Sequence, residues 1–192
     1  SGTFLTASVN SSEVLRYRSD LPGRFVGVAA QLQQNASAPQ NRPTISDGKL
    51  INGNLFLADR ANSQLLKLSE ASGEVLASYT FSTYNSQPID IAVNSQYVYV
   101  LSQSGVKRLN HDLVIDANFS INLPLSNGAI EIGPNGDLFV AQYGGIIRRY
   151  NASGQSLTSL APTPDLTTAV DLASNGSAIF AVNLNSASST YS

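Results

Sequence analysis

A pattern that returns roughly every 41 residues restricts this chain more than any other feature of it. Four copies align: TFLTASVNSSEVLRY (3–17), NLFLADRANSQLLKL (54–68), QYVYVLSQSGVKRL (96–109) and DLFVAQYGGIIRRY (137–150). A fifth, SAIFAVNLNSASSTY (177–191), follows them. Their first core residues, Phe4, Leu55, Val98, Leu138 and Ile179, lie 51, 43, 40 and 41 residues apart. Each copy has an alternating apolar run, a polar turn, and a second short run carrying a basic residue. A third run follows in four of them: RFVGVAA (24–30), EVLASYTF (74–81), IDANFSINL (115–123) and QSLTSLA (155–161). Three copies are preceded by a further short strand, PIDIAVN (88–94), AIEIGPN (129–135) and AVDLASN (169–175). Pairs such as Ser72-Gly73, Asn127-Gly128, Asn135-Gly136, Ser153-Gly154 and Asn175-Gly176 mark the turns. No window keeps a helical period.

Four short strands per repeat of this length describe a blade that cannot bury both faces alone and must stack on neighbours. The expectation is one all-β domain over 1–192, a β-propeller of about five four-stranded blades. Its units are 1–30, 44–82, 88–123, 129–161 and 169–192, with a polar loop, QLQQNASAPQNRP, at 31–43. The first unit lacks an innermost strand and the fifth an outermost one. Either the ring closes irregularly, or the chain continues beyond this sequence, or open edges pair with another copy, an addition that unpaired strand edges invite.

The units NLFLADRANSQLLKLSEASGEVL (54–76) and DLFVAQYGGIIRRYNASGQSL (137–157) resemble blades of NHL-type and gluconolactonase-like propellers. The segment VLRYRSDLPGRFVGV (14–28) is similar to blades of secreted bacterial propellers. Gluconolactonase-like proteins have six blades and hold one calcium with Glu, Asn and Asp from different blades. Their Asn ligand falls in a Pro-Asn-Gly-type strand start, where this chain reads Pro88-Ile89-Asp90. The missing Asn and the lower blade number weigh against that catalysis.

Candidate site residues come from the innermost strands. Asp90, Glu131 and Asp171 sit between apolar residues in IDI, IEI and VDL, and Asp47 takes the matching place in ISDGK. Their spacings of 43, 41 and 40 follow the repeat and put them in register. Such a ring suits a hard cation, calcium before others. Equally, each carboxylate can accept backbone amides of a neighbouring blade and lock it in place. A second aligned set, Arg16, Lys67, Arg108 and Arg149, is read as surface or carboxylate-paired cations. His111, the one histidine, is read as an exposed turn residue. Tyr17, Tyr79, Tyr97, Tyr99, Tyr143, Tyr150 and Tyr191 are read as packing between blades. Sequons stand at Asn10, Asn35, Asn118, Asn151 and Asn175. Asn35 in the polar loop is the best acceptor, and Asn118 is accessible only on an outer-edge strand.

Charged residues are 12% of the chain and the net charge is −2, so clustered cations for nucleic acid are missing. The chain has no Cys, hence no disulfide or thiolate site, and no apolar run long enough to span a membrane. A polar but uncharged surface fits the cell exterior. The functional expectation is a non-catalytic extracellular or cell-surface propeller, structural, adhesive or self-assembling, as in a filament or surface layer. Its partners are other copies or an extracellular protein or glycan. A glycan- or ligand-binding propeller and a calcium-dependent lactonase or hydrolase are the alternatives. No cofactor is expected, with calcium as the one candidate.

Overall fold

A computed structural model describes residues 3–7, 13–18, 25–32, 43–82, 87–123, 128–142, 146–160 and 169–183. The apolar alternations become strands, because period-two patterning offers a backbone two faces to bury. Sixteen strands form among the described residues. The first sheet holds β1 (Thr3–Ala7), β2 (Glu13–Arg18) and β3 (Phe25–Gln31). The second holds β4 (Ile45–Ile51), β5 (Asn54–Asp59), β6 (Gln64–Ser69) and β7 (Val75–Thr80). The third holds β8 (Pro88–Val93), β9 (Tyr97–Ser102), β10 (Gly105–Asn110) and β11 (Ile115–Asn122). The fourth holds β12 (Gly128–Ile132), β13 (Leu138–Gln142) and β14 (Ile147–Tyr150), and the fifth β15 (Ala169–Ser174) and β16 (Ile179–Asn183). Each sheet is an antiparallel meander in chain order.

Turn chemistry sets the hairpins. Asn52 and Gly53 both have positive φ (49° and 73°), the left-handed pair that matches strand twist between β4 and β5. The expected outer run of the fourth sheet (155–161) is reduced to two isolated bridges, Tyr150 with Ser156 and Ile147 with Leu160. The expected loop 31–43 is narrower at both ends. Gln31 closes β3, and Leu32 and Pro43 are buried.

The core is a series of seams between consecutive sheets, not one centre. Each sheet presents one set of side chains forward, to the next sheet, and the alternate set backward. Val14 and Leu32 meet Ile45, Leu55 and Leu57 of the second sheet. Phe56, Ala58 and Leu65 face Ile91, Val98 and Val100 of the third. Tyr99, Leu101 and Phe119 face Ile130, Leu138 and Val140 of the fourth. Ala129, Phe139 and Ala141 face Leu172, with Ile179 packed alongside. Inner strands stack side by side in order: β4 on β8, β8 on β12, β12 on β15.

Candidate functional site

The inner strands carry one free edge each, and their outward amides need acceptors. Asp47 and Asp90 supply them from the preceding sheet. The Ile91 amide donates to Asp47 Oδ2 (3.3 Å) and to the neighbouring Asp90 Oδ1 (2.9 Å). The Ile130 amide donates to Asp90 Oδ2 at 2.7 Å. Ser46 adds a tie in the same seam as Asp47, its hydroxyl donating to the Pro88 carbonyl at 3.1 Å. These are the blade locks that the sequence pattern allows. Burial, then the hydrogen bond and charge of Asp47, push the Asp90 carboxyl well above the usual carboxylate range.

The expected register of four carboxylates is corrected by the strand pairing. Asp47, Asp90 and Asp171 pair with Ala58, Leu101 and Val182, equivalent positions of β5, β9 and β16. Each follows a bulge that adds one residue: Ser46, Ile89 and Val170 respectively. β12 has no bulge, so its equivalent residue is Ala129, opposite Ala141. Glu131 lies two residues further on, opposite Phe139, in the place that Lys49 (opposite Phe56) takes in β4. The seam between the fourth and fifth sheets therefore has no lock residue of this kind.

Lys49 is the element that sequence reasoning missed. Its ammonium lies 3.8 Å from Asp47 and 3.7 Å from Glu131, reaching past the third sheet to the fourth. That reach shows the inner strands curving about a common axis. Burial opposes its charge, but Asp47, Glu131, Asp90 and Asp171 outweigh burial and hold its proton more tightly than usual. Its signal was an i, i+2 spacing from Asp47, which puts both side chains on one face of β4. Asp171 is exposed and accepts only its neighbour's amide (Leu172, 2.8 Å) among the hydrogen bonds described.

Among the described residues no three Asp, Glu or His side chains converge closely enough to hold a metal ion. Both oxygens of Asp90 and one each of Asp47, Glu131 and Asp171 accept backbone amides, and the Lys49 ammonium lies between Asp47 and Glu131.

Two of the basic set, Lys67 and Arg108, tie neighbouring sheets together. Lys67 pairs with Asp112 of the next sheet (3.6 Å). Arg108 stacks between Tyr97 and Phe119 (4.3 and 4.4 Å), pairs with Asp116, and donates to the Ala152 carbonyl of the next sheet (2.7 Å). Arg149 pairs with Asp137 at 2.8 Å and lies over the Phe139 ring. The side chain of Arg16 lies outside the described residues. His111 is not fully exposed as expected. It is half-buried, its Nε2 lies 2.8 Å from the Asn94 carbonyl, and its ring meets Phe56 of the preceding sheet. Tyr99 and Tyr150 are buried in the seams as expected. Tyr143 and Tyr191, like Asn10 and Asn35, lie outside the described residues. Asn118 stands exposed on β11, the outer edge of its sheet, and Asn175 is exposed in a turn. Asn151 is half-buried, its side-chain oxygen accepting the Ser153 and Gln155 amides. A groove between the first two sheets, lined by Leu32, Leu66, Val75 and Glu74, holds one titratable group among its described lining residues.

No protein-family model and no curated protein sequence matches the chain. Solved structures do. Virginiamycin B lyase from Staphylococcus aureus superposes with a TM-score of 0.72 at 16% identity, over 95% of this chain and 60% of the lyase. A streptogramin B lyase gives 0.71 at 16% identity, over 95% and 59%. The WD40 propeller domain of Doa1 gives 0.66 at 13% identity, over 88% and 54%. The chain is a β-propeller. The blades are its sheets, and the chain spans about 60% of the lyases it superposes on. At these identities the likeness is one of fold. No described helix is long and apolar enough to cross a membrane.

Proposed function

We propose that this chain is a non-catalytic propeller module of the cell exterior, of the NHL-like type its blade sequences resemble, acting through its surfaces and not its centre. One observation carries the reading: Asp47 and Asp90, the carboxylates best placed to act at the axis, each accept an amide of the next blade. Lys49, set between Asp47 and Glu131, neutralises what remains. A hydrolase of the gluconolactonase-like kind needs those oxygens free for a cation. The surface of few charges supports an exterior role, in adhesion or assembly with further copies.

The test is calorimetric. The unfolding midpoint is expected to be the same in EDTA and in millimolar calcium, with no turnover of lactones or esters. A saturable rise in calcium, accompanied by lactone turnover that Asp90→Asn abolishes, would replace the module with a calcium-dependent hydrolase.

A further inference from the structure

Two carboxyl groups from consecutive blades converge on one backbone amide. The Ile91 N–H donates both to Asp47 Oδ2 (3.3 Å) and to Asp90 Oδ1 (2.9 Å). The other Asp90 oxygen is taken by the Ile130 amide at 2.7 Å. Two carboxylates on a single N–H would face each other as like charges with too few donors between them. Asp90 is 8% exposed and stands opposite Leu101, so water screens that repulsion weakly. Among the described residues the surroundings supply one cation. Lys49 of β4 lies 3.8 Å from Asp47, but it is shared with Glu131 of β12 at 3.7 Å. Asp171 of β15 adds a further carboxyl group acting on the same ammonium. β5 and β9 face the pair with Ala58 and Leu101. Asp59, beside Ala58, is turned to Thr44, Asn62 and Gln64. One ammonium therefore stands against four carboxyl groups, and burial already favours the uncharged form of Asp90.

A single proton held between the two carboxyls meets these conditions. It makes one group a donor to the other, removes the repulsion, and leaves Asp90 Oδ2 an acceptor for Ile130. We infer that Asp47 and Asp90 share one proton across the seam between the second and third blades, an acid–carboxylate bridge that opens when the proton leaves. The two ties made by Asp90 and Asp47 then respond in opposite ways. Without the proton both groups are charged on the one Ile91 amide, so Asp47, the less buried of the two, turns to Lys49. The Ile130 amide now bonds a full carboxylate, and a charged acceptor makes the stronger bond. Acid thus tightens the seam of blades two and three. Rising pH moves the hold to the seam of blades three and four.

Carbon-13 NMR of the carboxyl carbons, each assigned through its own backbone, follows both groups across pH in the unsubstituted chain. Expected is one step shared by the Asp47 and Asp90 signals at a common midpoint, with the Ile130 amide proton moving downfield through the same step. In Asp47→Asn the Asp90 step moves to lower pH, because a neutral amide replaces a like charge. In Lys49→Met the shared step moves to higher pH, because a neighbouring cation is gone. In Asp90→Asn the shared step vanishes from the Asp47 signal. Separate midpoints for Asp47 and Asp90 overturn the bridge. So does an Asp90 step that Asp47→Asn leaves in place, which would mean that burial alone holds the Asp90 proton. The first measurement needs no substitution, so a variant that fails to fold does not protect the proposal from refutation.

Discussion

Replacing Asp90 tests whether the axial carboxylates hold blades together. In Asp90→Ala the Ile130 amide, fully buried and served by Asp90 Oδ2 at 2.7 Å, loses its acceptor. The Ile91 amide is spared, because Asp47 Oδ2 remains at 3.3 Å. One orphaned buried donor costs about 1–3 kcal/mol, a fall in midpoint of roughly 2–12 °C for a chain of this length. Asp90→Asn keeps an acceptor and deletes the charge, so its loss is smaller. The pH dependence separates the terms. Burial and Asp47 raise the Asp90 proton affinity in the folded state. Its contribution is therefore complete below the unfolded value, about 3.9, and declines as pH rises through the folded value. The Asp90→Ala deficit should be larger at about pH 5 than at about pH 8, and Asp90→Asn should lose that component of the slope. Urea unfolding followed by circular dichroism at both pH values measures it. An Asp90→Ala chain as stable as the parent, or an Asp90→Asn chain equally impaired, would refute the lock.

Lys49→Met leaves Asp47 and Glu131 facing each other without their cation; a loss of about 0–1 kcal/mol, shrinking in high salt, is expected in chemical unfolding. Gly105→Ala places a Cβ 1.9 Å from the Ile121 carbonyl at φ 126°; a loss above about 2 kcal/mol should appear as a lowered urea midpoint. Arg108→Lys gives up the planar stack between Tyr97 and Phe119 and the fork to Asp116; about 1 kcal/mol of destabilisation is expected by thermal melting, and an unchanged midpoint would count the stack as neutral.

Much of the fold was legible in the sequence. The repeat marks out the blade, and the alternation in YVYVLS and LFVAQ divides the side chains between two faces, because a strand turns successive side chains to opposite sides. The lock role of Asp90 followed from a carboxylate flanked by apolar residues, and that of Asp47 from its matching place in the repeat. The register of the site did not follow. Spacing counts residues, whereas pairing counts partners, and the bulges at Ser46, Ile89 and Val170 have no counterpart in β12. Glu131 thus keeps the sequence period while standing where Lys49 stands. Local sequence determined the strands, the turns and which side chains share a face of each blade, all set by neighbours along the chain. Tertiary structure alone decided that Lys49 meets Glu131 across the axis, that His111 closes a seam, and that Phe180 and Val182 are half exposed where their counterparts in other blades are buried. Each depends on how the blades curve and stack, which is a property of seams between distant segments and not of any one of them.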